Sequence, residues 1–218
     1  MQKRLKLLDN DGFAAGGDMA DAEISAVEKQ IYELTAKLNE LRKSNAGDEV
    51  RNYPFATING ESSLLDLFGD RKQLLLIHNM GQGCRYCTLW ADGFNGFVKH
   101  LESVMSVVLV SKDAPGLQRQ FANSREWRFR LASHGGGDYI SEQTVMEGSD
   151  NMPGAVVYER DGDKITRKNS CIFGPGDLYC SMWSLLGLAG IGEGDWTPQY
   201  VYWQRPEKMD DGGANLPD

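Results

Sequence analysis

The chain predicts an α/β fold: a mixed central β-sheet flanked by helices, with an N-terminal helical arm. Three observations carry this. Leu74-Leu75-Leu76-Ile77 and Ser106-Val107-Val108-Leu109-Val110 are continuous apolar runs, as in strands buried on both faces. Between them Leu89, Trp90, Phe94, Phe97, Val98 and Leu101 recur at helical spacing, giving a β–α–β unit. Further on, Ala155 to Glu159 and Lys164 to Thr166 flank the turn Asp161-Gly162, an antiparallel hairpin. A β–α–β unit followed by a hairpin and a helix makes a mixed sheet covered on both sides.

The 218 residues suffice for one sizeable domain and an appendage. With 41% hydrophobic and 25% charged residues, the core can form without cross-links, so the four cysteines are not needed as staples. A net charge of -8 argues against nucleic acid as a partner, because no basic stripe is present to displace counterions. No run of 18 apolar residues exists, so no membrane partner is expected. The N-terminus runs into Asp9, Asn10 and Asp11 instead of an apolar signal segment, and a cytoplasmic location is expected.

In chain order, Gly16-Gly17 and scattered aspartates break periodicity over residues 1 to about 20. Ile24, Val27, Ile31, Leu34, Leu38 and Leu41 then alternate spacings of three and four, a heptad seam about three heptads long. Asp18 or Asp21 suits its start and Gly47 its end. Two partners suit the seam: the body of its own chain, or the same helix of a second copy, giving a homodimer through residues 21–44. Tyr53 to Ile58 reads as an edge strand, Asn59-Gly60 as a turn, and Leu64 to Phe68 as a short helix capped by Ser62 or Ser63. A helix starts at Pro115 and is expected to bury Leu117 and Phe121. Trp127 to Leu131 reads as a strand, and a loop of about 18 residues opens at His134. The last helix, capped by Asp177, is expected to bury Leu178, Met182, Leu185 and Leu186. The expected divisions are a tail and helical arm over 1–50, a domain over 51–205 and a flexible tail over 206–218.

The chemistry centres on Gly83-Cys84-Arg85-Tyr86-Cys87, which opens the helix after the first buried strand. Cysteines two residues apart across a first helical turn can bridge, and the unpaired N–H groups and dipole there favour a thiolate. Cys84 is expected to attack and Cys87, one turn deeper, to resolve; Arg85 adds positive charge, and Tyr86 shares the turn. The expected substrate is a protein or small-molecule disulfide or thiol, with no cofactor, since the two sulfurs carry the electrons. Other readings stay open. A peroxidase would use one cysteine to attack a peroxide and form a sulfenic acid. A structural pair, or a non-enzymatic binding module assembling through the heptad helix, needs no turnover. A zinc site would need a second close pair, and Cys171 and Cys180 have eight residues between them, so no metal is expected.

The run from Leu74 to Met80, with Cys84-Arg85-Tyr86-Cys87-Thr88-Leu89-Trp90-Ala91-Asp92-Gly93-Phe94-Asn95-Gly96, resembles a thioredoxin-like bacterial family of unknown function, domain of unknown function number 899. Glu28-Lys29-Gln30 and Ser63 to Phe68 resemble it too, over roughly residues 25 to 205. The resemblance implies a thioredoxin-like fold and no established substrate. By similarity to thioredoxins in general, Met152-Pro153 stands at the cis-proline position facing the disulfide, with the Met152 backbone available to an extended substrate. Gly83 replaces the tryptophan that thioredoxins place before the nucleophile. Tyr53 to Phe68 is closer to peroxiredoxins; on that alignment Cys84 takes the place of their threonine and Cys87 that of the peroxide-attacking cysteine, though their preceding proline is missing.

His78 ends the first buried strand, where it suits either a supporting role to the thiols or a structural one. His134 is a second candidate to line the site. Asp92 reads as helix surface, Trp90 and Phe94 as core, and Cys171 and Cys180 as small apolar residues.

Overall fold

The computed structural model describes residues 19–200. The expectations for residues 1–18, including Asp18 as a cap, and for the tail over 206–218 lie outside the described residues. The chain divides into two units, one ending at Asn45 and the other starting at Ala46.

In the first unit, α1 (Met19–Ser44) is the helix that the spacing of three and four predicts. Asp21 lies in its first turn and Arg42 and Lys43 in its last, which complements the helix dipole. The Ser44 hydroxyl donates back to the Leu41 carbonyl at 3.0 Å where the helix stops. Of the six seam residues, Leu38 is half-buried and the other five are exposed.

Among the described residues, the second unit is built on one eight-stranded sheet. Its strands are β1 (Asp48–Val50), β2 (Pro54–Thr57), β3 (Gly60–Ser63), β4 (Gln73–His78), β5 (Ser106–Ser111), β6 (Arg130–Ser133), β7 (Gly154–Asp161) and β8 (Lys164–Ile172). They lie in the order β1-β8-β7-β4-β5-β6-β2-β3. β4, β5 and β6 are parallel, β7 runs antiparallel to β4, and β8 antiparallel to β7. This central part is the thioredoxin-like mixed sheet. β1 closes one margin with three residues, and β3 closes the other with Gly60-Glu61-Ser62-Ser63. β2 is therefore internal, and β3 is the edge.

β4 and β5 are buried because both faces of the sheet are covered. On one face Leu74, Leu76, Val108, Val110, Val156 and Tyr158 pack with Tyr53, Phe55, Tyr139 and α2 (Leu64–Leu67). On the other, Ile77, Val107, Leu109 and Ala155 pack with α3 (Arg85–Glu102), α4 (Pro115–Ser124) and α6 (Ser181–Leu188). Ser63 caps α2 in a reciprocal box with Asp66.

Local expectations fail where polar contacts override periodicity. α4 starts at Pro115 but buries Gln118 and Ala122, while Leu117 is exposed. The Gln118 amide is drawn in because it donates to the Ser111 hydroxyl at 2.7 Å and the Ala132 carbonyl at 3.1 Å. α6 begins at Ser181, with Cys180 as its N-cap; Asp177 instead binds the N–H groups of Gly174, Tyr179 and Cys180 in the preceding turn. Trp183 is its buried residue, and Leu178 and Leu185 are exposed. The strand expected over 127–131 is β6, displaced to Arg130–Ser133 because the Trp127 indole donates to Asp92 at 2.7 Å. The loop after His134 contains α5 (Asp138–Glu142).

α3 contains Gly93 and Gly96, at ordinary helical φ and with open space where a Cβ would stand. Replacing each by alanine is expected to stabilise the body by about 0.5–1 kcal/mol, since glycine loses more backbone freedom on folding. Urea midpoints of Gly93→Ala and Gly96→Ala check this; a fall in either midpoint contradicts it.

Candidate redox site

β4 ends at His78, and Asn79 to Gly83 lead the chain into α3. Cys84 is the N-cap residue of α3, with extended φ/ψ of -101° and 104°. Its Sγ accepts the Cys87 N–H at 3.1 Å, so the sulfur itself caps the helix. Cys84 and Cys87 are joined in a disulfide, with Cα atoms 5.3 Å apart. Cys84 is half-buried, whereas Cys87 is only 3% exposed. Of the two sulfurs, the one at the helix cap belongs to the more accessible residue.

The turn is held from several sides. Thr88 donates both its N–H and its hydroxyl to the Cys84 carbonyl, each at 3.0 Å. The Asn79 side chain accepts the Gly81 N–H at 2.9 Å and donates to the Cys87 carbonyl at 3.4 Å. Asp113, just after β5, accepts the Gln82 N–H at 2.9 Å. Gly81 has φ 118°, and a Cβ there would stand 2.9 Å from the Asp113 carboxylate, so the close approach requires glycine. Tyr200 donates its hydroxyl to the Gln82 carbonyl at 2.8 Å, and its own carbonyl accepts Arg125. Arg125 in turn pairs with Asp92 on α3. Asp92, read from sequence as helix surface, is thus a brace binding both Arg125 and Trp127.

Arg85 is buried, at 7% exposure, and its charge reaches Tyr200, whose hydroxyl pKa is raised chiefly by burial and lowered in part by Arg85. Tyr86 stacks on Trp183 with centroids 6.4 Å apart and lies 6.2 Å from Trp90. Both residues between the cysteines are therefore tied into the body.

β7 places Met152 and Pro153 at the same end of the sheet, because Gly154 pairs with His78. Asn151 donates to the Met80 carbonyl at 3.4 Å, linking that loop to the one preceding the cysteines. Among the described residues no peptide bond is cis, so the Met152–Pro153 bond is trans, against expectation. The chain turns at Asn151, in the left-handed region at φ 52°, and Pro153 precedes a strand without needing to donate. Its carbonyl accepts the Phe173 N–H at 2.9 Å.

His78 and His134 belong to a different cluster. Alternation along β4 puts His78 on the face of Leu74 and Leu76, opposite Ile77 and α3. Its Nε2 lies 2.7 Å from the Tyr139 hydroxyl. From there Tyr158, Gln143, Tyr53 and Glu142 continue a hydrogen-bonded chain to the surface. The His134 ring also packs near Tyr139, and its Nδ1 accepts the Gly136 N–H at 3.1 Å. Burial, then repulsion from His134 and Arg167, pushes the His78 pKa down to about 3 from 6.5. An unfolded chain binds a proton at this site near pH 6.5 while the folded chain refuses it until about pH 3. Stability is thus expected to fall as pH drops through that window, by up to about 1.4 kcal/mol per pH unit from this residue. His78→Gln should show a shallower loss between pH 6 and 4 in urea unfolding; equal slopes would remove His78 as the cause.

Cys171 lies on β8 opposite Ala155, and burial pushes the Cys180 thiol up. Neither is in a disulfide. Among the described residues no cluster of three or more His, Cys, Asp or Glu side chains could hold a metal ion. No helix there is long and apolar enough to cross a membrane. Sequence reasoning missed Asn79, Thr88, Asp113, Arg125 and Tyr200; Asn79 and Asp113, just past the carboxyl ends of parallel strands, carried a positional signal.

A mixed sheet with a disulfide-bonded Cys-x-x-Cys opening the helix after its central strand defines a protein of thioredoxin-like fold. Within that class, the chain belongs to the family described as bacterial protein of unknown function DUF899, whose model matches residues 18–209. No curated protein matches it. Among solved structures it is similar to the peroxidoxin BcpB of Mycobacterium tuberculosis, at 22% identity and TM-score 0.45, over 59% of this chain and 85% of that one. It is similar to a peroxiredoxin-like protein from Aquifex aeolicus, at 20% identity and TM-score 0.45, over 58% and 74%. Reduced Prx3 from Vibrio vulnificus is 11% identical, with TM-score 0.48, over 66% and 97%.

Proposed function

We propose that the protein is a thiol–disulfide oxidoreductase cycling Cys84 and Cys87 between dithiol and disulfide. The observation that carries this is the disulfide whose more accessible residue, Cys84, caps α3 through its sulfur while Cys87 is buried. A thiolate at Cys84 gains the Cys87 N–H and the positive end of the helix, with the positive charge of Arg85 next in the chain. It attacks one sulfur of a substrate disulfide and expels the other as a thiolate, forming a mixed disulfide. The Cys87 thiolate then attacks Cys84 Sγ and releases the second substrate thiolate. Two electrons pass to the substrate, its thiolates take protons from solvent, and the protein is left oxidised. Met152 and Pro153, at the same end of the sheet, suit a wall along which a disulfide-bearing chain lies. A homodimer through α1 is part of the same proposal.

Thiol counting tests it. The reduced protein, given a small disulfide in excess and then freed of it, should lose two of its four thiols, with Cys84 and Cys87 linked on peptide mapping. Retention of all four, or rapid loss only to hydrogen peroxide with a sulfenic acid on Cys87, would replace exchange by no reaction or by peroxide reduction.

A further inference from the structure

The heptad seam of α1 presents Ile24, Val27, Ile31, Leu34 and Leu41 to solvent, and its charges say how it is covered. With Ile24, Ile31 and Leu38 at a and Val27, Leu34 and Leu41 at d, the flanking e positions are Asp21, Glu28, Thr35 and Arg42. The g positions are Glu23, Gln30, Lys37 and Ser44. In a parallel pair each g faces the next e of the other helix. Glu23 would then face Glu28, and Lys37 would face Arg42, once on each side. Every charged pair across that interface is repulsive.

We infer that two copies pair through α1 in antiparallel orientation. Setting Ile31 against Leu34 of the second copy brings Ile24 against its Leu41 and Val27 against its Leu38, so every seam residue finds a partner. An antiparallel pair sets e beside e and g beside g. Asp21 then stands opposite Arg42 of the second copy, with Glu28 further along the same flank. On the other flank Gln30 meets Lys37, and no like charges oppose. The arrangement also lays the acidic, dipole-positive end of each helix along the basic, dipole-negative end of the other. Over the roughly 27 Å of helix from Ile24 to Leu41, six apolar layers are buried and the ends are matched in charge.

The orientation rests on the proposed pairing through α1, and the two fail separately in one experiment. Sedimentation equilibrium of the full chain at increasing concentration, to about 100 µM, should reach twice 24.2 kDa. Leu34→Asp should return it to the single mass with helical content retained. A wild type that stays at the single mass, its seam covered by its own body, or an unaffected Leu34→Asp dimer overturns the pairing. Arg42→Glu decides the orientation by sign. In the antiparallel pair it sets a second carboxylate against Asp21 and should weaken association about tenfold over its two equivalent contacts. In a parallel pair it would turn Lys37 repulsion into attraction, and a tighter dimer overturns the antiparallel assignment. Asp21→Lys with Arg42→Glu should recover association close to wild type, and failure to recover counts against the pairing of these two positions.

Discussion

Cys84→Ser is expected to lose disulfide reduction by at least about a thousandfold, because an alcohol oxygen cannot take part in thiol–disulfide exchange. Cys87→Ser should behave differently. Its Cys84 can still attack, but nothing beneath it resolves the product, so a mixed disulfide with the substrate should accumulate on Cys84. The asymmetry follows from placement. Cys84 Sγ caps the helix on a half-buried residue, and Cys87, 3% exposed, can reach only its neighbour. Intact-mass measurement after a single turnover reads the adduct directly. If the adduct forms on Cys87 in Cys84→Ser and not on Cys84 in Cys87→Ser, the roles are reversed, as the alignment with peroxiredoxins would have them.

Gly154→Ala is expected to destabilise the body by about 3 kcal/mol, near the upper end of overpacking effects. An added Cβ would stand 2.2 Å from the Cys171 carbonyl oxygen and 2.8 Å from a Val145 methyl. The valine can shift, but the carbonyl belongs to β8 within the sheet and cannot move without parting β7 from β8. A fall in melting temperature of roughly 6–12 °C is expected for a body of this size. A change below about 2 °C would mean that the strands separate freely there. Because Gly154 pairs with His78, the same substitution should also disturb the end of β4 that leads into the cysteines.

How much of this was legible in the sequence depends on what holds each part. β4, β5 and α3 were readable because two-sided burial leaves continuous apolar runs and a clear helical stripe. The cysteine pair was readable because a spacing of two residues at the start of a helix brings the two sulfurs within bonding reach, as the disulfide shows. β1 and β3 were not, since three- and four-residue polar strands are recruited by pairing with β8 and β2. Gln118 in place of Leu117 at the buried face of α4 depends on carbonyl and hydroxyl partners from β5 and β6, which no local pattern displays. His78 looked adjacent to the cysteines because it is six residues away in sequence; strand alternation sends it through to the opposite face. The braces at Asp113 and Tyr200 bind backbone atoms of Gln82 from 31 and 118 residues away, and periodicity carries no trace of such distances.

The two short margins of the sheet bear on how the protein stays unaggregated at high concentration. An open sheet invites further strands, and the ladder grows fastest along long, flat, apolar edges. Here one margin is Asp48-Glu49-Val50 and the other Gly60-Glu61-Ser62-Ser63, each too brief and too polar to template a foreign chain. Uncontrolled polymerisation through the backbone is thereby discouraged. What association remains must be specified by side chains, a form of recognition that stops at a defined stoichiometry and can be tuned one charge at a time.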